Sequence, residues 1–275
     1  MSSSLEAKRA ELLANITRRG SCAVAYSGGV DSAVVAKAAQ LALGDNAIAV
    51  TGTSASLASG ELEEASELAR LIGIRHEVIA TEEFTKDEYL RNAPDRCYHC
   101  KTELYSQLIR RLPQLGVRVI LNGANLDDAG DYRPGMIAAT EHQVHSPLAE
   151  CGFTKEDVRQ LAALWNLPVW DKPATPCLSS RVAYGEEVTP ERLAMIDAAE
   201  QLLRRNGLPL CRVRYHTGDL ARIEVPSTEL AQLCSDPLRR ELFSELRRLG
   251  FKFITLDLEG FRSGSLNQLV QISSG

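Results

Sequence analysis

The sequence predicts an α/β protein with a doubly wound parallel sheet, followed by a smaller α+β domain. Up to residue 168, short apolar runs alternate with segments whose apolar residues recur at helical spacing. Strands that alternate with helices pair in parallel and place helices on both faces of one sheet. The pattern changes at "VWDKPATPCLSSRVAYGEE", whose prolines favour an extended connector. We therefore expect two domains, at residues 1–172 and 173–275.

Each predicted element has a local signal. Leu5, Leu12 and Ile16 recur at helical spacing and predict a first amphipathic helix. Strands of the first domain are predicted at "SCAVAYS", "NAIAVTGTS", "RHEVIA" and "VRVILNG", and its further helices at "DSAVVAKAAQLAL", "GELEEASELARLIG", "YSQLIRRL" and "FTKEDVRQLAALWNLP". In the second domain Thr189 and Pro190 begin a helix, and the chain continues with strands at "CRVRYH" and "ARIEV", a helical pair within residues 227–249 and a strand at "FKFITLDL".

Composition narrows the class of protein. The chain has 275 residues, 44% of them hydrophobic, and a net charge of -5. This acidic balance argues against stable nucleic-acid binding through phosphates and favours a small-molecule substrate. The polar first twenty residues and the lack of eighteen consecutive apolar residues predict a cytoplasmic protein without a membrane span. Seven cysteines in a reducing compartment suggest metal binding or catalysis rather than structural disulfides.

The segment Ser27-Gly28-Gly29-Val30-Asp31-Ser32 lies between a predicted strand and a predicted helix. Two glycines allow close approach of a ligand, and the helix start directs backbone N–H groups at an anion, with Ser27 and Ser32 as further donors. Asp31 would repel a bare phosphate, so we expect it to bind Mg²⁺ together with ATP. The segment resembles the PP-loop of ATP pyrophosphatases, which have an adenine nucleotide alpha hydrolase-like fold. A Gly-Gly turn with a serine or aspartate helix cap is the alternative.

Three further stretches extend the resemblance along the chain: "NGANLDDAGDYRPG", "KPATPCLSSRVAYG" and "CRVRYHTGDLARIEVP". With the PP-loop and "LDLEGFRSG", they resemble the LarE family of ATP-dependent sulfur transferases. The resemblance implies that pyridinium-3,5-biscarboxylic acid mononucleotide is adenylated and converted to a thiocarboxylate, with release of AMP and pyrophosphate, for the nickel-pincer cofactor of lactate racemase. It also implies a homo-oligomer, commonly a hexamer.

Two groups of polar residues are candidates for ligand binding. Arg212 and Arg214 fall on one face of a predicted strand, which suits the phosphate of a mononucleotide. A solvated or ion-paired strand face, for example with Glu224, is the alternative. The resemblance implies that Ser180, Arg181 and Glu200 lie around substrate phosphate and metal.

The loop after "VRVILNG" is the second candidate. Asn125 and Asp128, with Asp127 between them in the loop, follow that strand where the nucleotide is expected, although such residues also form ordinary turns. Tyr132 and Arg133 belong to the same matching stretch, and shaping this loop is their alternative role.

Three cysteines are candidates for sulfur transfer: Cys97, Cys100 and Cys177. Some LarE proteins carry a single cysteine near the position of Cys177 and sacrifice it, which leaves dehydroalanine. Others carry a C-x-x-C pair plus that cysteine and hold a 4Fe-4S cluster, and this chain matches the latter pattern. Three thiolates leave one iron open to a labile sulfide, whose donor the sequence does not identify. Cys97 and Cys100 also fall at a predicted helix start, where the helix dipole stabilises thiolates.

Other interpretations of the cysteines remain open. His99 could complete a zinc site, the C-x-x-C pair could be a redox or persulfide pair, or both thiols could be inert. We expect the remaining cysteines to be core or surface residues: Cys22, Cys151, Cys211 and Cys234. For the whole protein, the alternatives are a PP-loop tRNA thiolase, an ammonia-using ligase such as an NAD synthetase, and an ATP-binding sensor.

Overall fold

A computed structural model of the chain describes residues 3–128, 134–262 and 266. The chain divides into two compact units. The first contains residues up to Ser54 together with Ser59–Glu83 and Cys97–Thr175. The second contains Ala55–Ala58, Phe84–Arg96 and the chain from Pro176 onward. The functional domains at 1–172 and 173–275 stay a prediction.

A parallel four-stranded sheet in the order β3-β2-β1-β4 forms the centre of the first unit. Its strands are β1 (Cys22–Ala25), β2 (Ala47–Thr53), β3 (Arg75–Ala80) and β4 (Val119–Leu121). Cys22 is in register with Ala47 on one side and with Val119 on the other, so β1 is a central strand. The strand order changes direction at β1, which places a ligand crevice at its carboxyl end. The predicted α/β class with a doubly wound parallel sheet is confirmed.

Helices connect these strands, and several begin and end where the sequence predicts. In chain order they are α1 (Ser3–Thr17), α2 (Val30–Leu43), α3 (Glu61–Ile72), α4 (Asp87–Leu90), α5 (Arg96–Leu115), α6 (Pro134–Glu141), α7 (Pro147–Glu150) and α8 (Lys155–Leu164). Thr154 and Asp157 form a capping box at the start of α8, and Gly73 ends α3 in the left-handed conformation. Helix α4 belongs to the second unit, as does Arg96 at the start of α5. Within the described residues, no helix has the length and apolarity needed to cross a membrane.

Helix α2 packs closely on the sheet because its buried face consists of small residues. Ala33, Ala36 and Ala39 are fully buried there, and they let the helix axis approach the strands. Larger side chains fill the space on the same side, including the fully buried Phe153 and Leu161. The start of α2 is therefore held directly against the end of β1.

A three-stranded mixed sheet in the order β5-β6-β7 forms part of the second unit. Its elements are α9 (Pro190–Arg205), β5 (Arg212–His216), β6 (Leu220–Glu224), α10 (Leu230–Cys234), α11 (Leu238–Leu249) and β7 (Phe253–Leu256). Strands β5 and β6 are antiparallel, whereas β6 and β7 are parallel. Thr189 caps α9 by accepting a hydrogen bond from the backbone of Arg192, as the sequence predicts. A smaller α+β region is thus present.

Candidate active site

The predicted phosphate loop connects β1 to α2 as a compact turn. Gly28 has φ +73°, and a Cβ added there would lie 3.0 Å from the Cβ of Ala65, so only glycine fits without strain. Ser32 Oγ donates to the Gly29 carbonyl at 3.0 Å and lies 3.2 Å from Ser27 Oγ. The first N–H groups of a helix have no partner within it, so this turn presents backbone and hydroxyl donors to an anion.

The loop that follows β4 lies directly on the first turn of α2. A Cβ added to Gly123 would be 2.8 Å from the backbone nitrogen of Ser32 and 3.0 Å from the carbonyl carbon of Asp31. No side chain fits in that space. The absence of a side chain at residue 123 therefore brings the polar loop 122–128 next to the phosphate loop.

Asp31 is the meeting point of these two loops. Asn125 Nδ2 donates to its Oδ1 at 3.0 Å, and Lys155 Nζ binds its Oδ2 at 2.5 Å. The side chain of Asp31 is 25% exposed. The loop is braced in turn by Asp128, whose Oδ2 accepts from the backbone N–H of Asn125 at 3.0 Å. The structure thus places Asp31, Asn125 and Asp128 together.

Lys155 belongs to this site although the sequence motifs do not reveal it. It is the first residue of α8, and its backbone N–H donates to Asp127 Oδ2 at 2.7 Å. The positive end of α8 and an ammonium group therefore lie on the same side of the phosphate loop as Asp31. The only sequence signal is a lysine directly after the helix-capping Thr154. Tyr132 and Arg133 lie outside the described residues.

A second polar cluster lies in the second unit around Glu200. Glu200 and Arg181 are both fully buried and form an ion pair, with Nε to Oε1 at 3.0 Å and Nη2 to Oε2 at 3.3 Å. Arg204 reaches the same carboxylate at 2.8 Å, and the backbone N–H of Val213 donates to it at 3.2 Å. Glu200 therefore joins α9 to β5 and to the short 3-10 helix Leu178–Arg181.

The two arginines of β5 have different partners. Arg214 forms an ion pair with Glu224, with Nη2 to Oε2 at 2.9 Å, and donates from Nη1 to the Ser180 carbonyl at 3.1 Å. The ion-paired alternative therefore describes Arg214. Arg212 is 7% exposed, and within the described residues no carboxylate pairs with it.

The surroundings of Arg212 are unusual for a cation. Its Nη1 donates to the Cys211 carbonyl at 2.7 Å, and its guanidinium lies 5.2 Å from the ring centroid of Phe261. Burial first, and then the charge of Arg181, lower the pKa of the Arg212 guanidinium. A buried cation without a matching carboxylate is costly, so this position favours binding of an anion.

The seven cysteines fall into two groups, and none forms a disulfide. Cys22 and Cys211 are fully buried, and burial raises the pKa of each thiol to about 12. In the other group, Cys97 and Cys234 are exposed, whereas Cys100, Cys151 and Cys177 are half-buried. Cys97 and Cys100 lie three positions apart at the start of α5, on one helix face, and Cys177 precedes the 3-10 helix of the second unit.

No metal centre is preassembled in the part of the chain that the structure describes. Among those residues, no three His, Cys, Asp or Glu side chains converge as metal ligands. The thiol chemistry nevertheless fits a soft iron-sulfur group, because none of the three predicted ligands is buried and two of them, Cys97 and Cys100, have C-x-x-C spacing. The predicted cluster and the zinc alternative with His99 both stay hypotheses.

Comparison with known proteins agrees with this geometry. The NAD synthase family model matches residues 11–96. An uncharacterized protein of Synechocystis sp. is 48% identical over 247 residues, covering 90% of this chain and 92% of its own length. The pyridinium-3,5-bisthiocarboxylic acid mononucleotide synthase of Lactiplantibacillus plantarum is 38% identical over 266 residues, covering 96% of this chain and 95% of that protein. The tRNA-specific 2-thiouridylase MnmA of Xanthobacter autotrophicus is 31% identical but spans 54% of this chain and 48% of its own length.

A PP-loop on a parallel sheet, together with a near full-length match to a thiocarboxylate-forming synthase, defines the class: the protein is an ATP-dependent sulfur transferase. Within that class, the match over 96% of this chain and 95% of the synthase separates it from the tRNA thiouridylases, which match about half of the chain. The chain belongs to the LarE family.

The two groups of cysteines should differ in reactivity. At pH 8 a thiol with a pKa of about 12 is ionised in roughly one molecule in ten thousand, and burial further limits access. We expect iodoacetamide to modify Cys97, Cys177 and Cys234 at least about 100-fold faster than Cys22 and Cys211 in the folded, metal-free protein. Peptide mass spectrometry over time measures each rate, and modification of all seven at one rate in guanidinium is the control. Fast labelling of Cys22 without denaturant would contradict the described core.

Proposed function

We propose that this protein converts the carboxylates of pyridinium-3,5-biscarboxylic acid mononucleotide to thiocarboxylates, using ATP to activate each carboxylate. The observation that carries the proposal is the 38% identity with the Lactiplantibacillus plantarum synthase over 96% of this chain. The phosphate loop with Asp31 supports it, and so does the buried Arg212, with which no carboxylate of the described residues forms an ion pair, because the reaction needs one site for ATP and one for a mononucleotide phosphate.

Activation is required because oxide is a poor leaving group from a carboxylate. In the proposed step, a substrate carboxylate oxygen attacks the α-phosphorus of ATP, the bond to the β-phosphate oxygen breaks, and pyrophosphate leaves. Ser27, Gly28, Gly29 and Ser32 bind the departing phosphates through backbone and hydroxyl donors. Asp31 would hold Mg²⁺, which would supply positive charge next to those phosphates.

Lys155 has a defined place in this step. In the ligand-free arrangement its ammonium group binds Asp31 Oδ2 at 2.5 Å. If Asp31 held Mg²⁺, the metal ion and the Lys155 ammonium group would repel each other, and the ammonium group would be available to the anionic phosphates instead. Asn125 remains a donor to the other oxygen of Asp31, and Asp128 keeps the Asn125 loop in place.

The substrate phosphate binds in the second unit. Arg212 is the principal contact, since it is buried and no carboxylate pairs with it within the described residues. Arg214 lies two positions further along β5, on the same strand face, and its Nη1 donates to the Ser180 carbonyl at 3.1 Å. The family resemblance also implies that Arg181 and Glu200 lie at this end of the substrate, and both are fully buried in the same cluster.

Sulfur enters at the activated carboxylate, where it forms a bond to the acyl carbon and AMP leaves. We propose that Cys97, Cys100 and Cys177 hold a 4Fe-4S cluster, which when bound supplies the sulfur for this exchange. Two observations support this assignment: Cys97 and Cys100 have C-x-x-C spacing, and none of the three thiols is buried.

Arg212→Gln tests the phosphate site. Loss of a charge-assisted contact costs about 1.5–3 kcal/mol, so we expect KM for the mononucleotide to rise about 10- to 100-fold with a smaller change in KM for ATP. Thiocarboxylate formation and pyrophosphate release, followed by mass spectrometry and a coupled assay, measure both. Arg192→Gln is the matched control, because Arg192 also stacks on a ring, that of Tyr215 at 4.8 Å. Pyrophosphate release that does not depend on the mononucleotide would exclude the proposed reaction.

Iron and sulfide analysis of the purified protein tests the proposed sulfur source. Anaerobic preparation should give brown protein with iron and sulfide in near-equal amounts, and Cys177→Ser should remove the colour because it removes one of three ligands. Cys234→Ser is the matched control, because Cys234 is exposed and is not one of the three proposed cluster ligands. Colourless protein containing zinc, or loss of one sulfur mass from Cys177 after a single turnover, would instead establish a zinc site or a sacrificial cysteine.

A further inference from the structure

We infer that Arg181 is a positioning residue for Cys177. This inference rests on the proposed function, in which Cys177 belongs to the sulfur site, and it assigns Arg181 a different role from substrate binding. Arg181 is fully buried, and each of its three guanidinium nitrogens has a protein acceptor. It acts on the sulfur chemistry through the backbone on both sides of Cys177.

The contacts of Arg181 converge on one short segment. Its Nη1 donates to the Cys177 carbonyl at 3.0 Å and also to the Pro176 carbonyl. The Pro176 carbonyl belongs to the peptide group before Cys177, and the Cys177 carbonyl belongs to the one after it. One guanidinium nitrogen therefore restrains both peptide planes that meet at the Cα of Cys177.

Two backbone hydrogen bonds complete the restraint. The Cys177 carbonyl also accepts from the Ser180 N–H at 3.0 Å, and the next N–H, that of Leu178, donates to the Ser56 carbonyl at 2.8 Å. Cys177 has φ −57° and ψ 157°, an extended conformation for a residue that directly precedes a 3-10 turn. With both flanking peptides held, χ1 is the remaining freedom of the thiol, so its sulfur occupies a small region.

Glu200 anchors the guanidinium group of Arg181. It accepts from Arg181 Nε and Nη2 and from the backbone of Val213, and it is itself fully buried on α9. Lysine cannot replace arginine here, because one ammonium nitrogen cannot span a carboxylate and two carbonyl groups at once. A guanidinium whose nitrogens already contact protein acceptors is better suited to hold a backbone than to capture a substrate phosphate.

Arg181→Lys tests the positioning role in two ways. In the metal-free protein, release of the backbone should raise the iodoacetamide rate of Cys177 relative to Cys234 about fivefold, since the segment opens more often. In the active protein, kcat for thiocarboxylate formation should fall about 10- to 100-fold with KM for the mononucleotide unchanged, because misplacement by about 1 Å has this effect. A raised KM with unchanged kcat would show instead that Arg181 contacts the substrate.

Arg192→Lys is the matched control. Arg192 is a partly buried arginine of α9 that pairs with Glu186 at 3.7 Å, and within the described residues it forms no hydrogen bond or ion pair with Cys177 or Glu200, so the substitution should leave both the thiol reactivity and kcat unchanged. If Arg181→Lys fails to fold, Glu200→Gln keeps the side-chain shape, weakens the anchor and should shift the Cys177 rate in the same direction. An unchanged Cys177 rate in the folded variant would overturn the inference. Because thiol labelling needs no turnover, it decides the positioning role even if the enzyme makes no thiocarboxylate.

Discussion

The candidate site of the second unit depends on the ion pairs and hydrogen bonds of one buried carboxylate, that of Glu200. It pairs with Arg181 and Arg204 and accepts a hydrogen bond from the backbone N–H of Val213. A helix, a strand and the segment after Cys177 therefore contact the same carboxylate. A buried ion pair is a weak source of stability, because desolvation offsets most of the attraction. The ion pair instead fixes the positions of these elements relative to one another. Removing either partner would leave an unpaired charge in the core.

Arg212 is the buried arginine of this cluster that forms no ion pair with a carboxylate of the described residues. Four neighbouring arginines pair with Glu200 or Glu224, whereas no described carboxylate pairs with Arg212. In the proposed function, an anionic substrate group that binds there would offset the cost of that unpaired charge. Such a site would be organised for an anion before it arrives, and preorganisation of this kind limits the reorganisation needed during binding.

The first unit also pairs a carboxylate with a cation, here next to the phosphate loop. A carboxylate beside a phosphate loop needs a cation, and Lys155 supplies one at Asp31. Gly28 and Gly123 allow the surrounding backbone to approach closely enough for these contacts. The requirement for close approach explains why small residues, rather than charged ones, set the distances at this end of the sheet.

Much of the fold and part of the site could be predicted from the sequence, because the signals are local. Alternation of strands and helices, the caps at Thr154 and Thr189 and the six-residue phosphate loop each lie within a few positions of the chain. Only the tertiary structure decided that Lys155 reaches Asp31 across 124 positions, and that Arg214 rather than Arg212 pairs with Glu224. Those choices depend on strand register and on which groups become buried together, and a charged residue in a sequence does not reveal its partner.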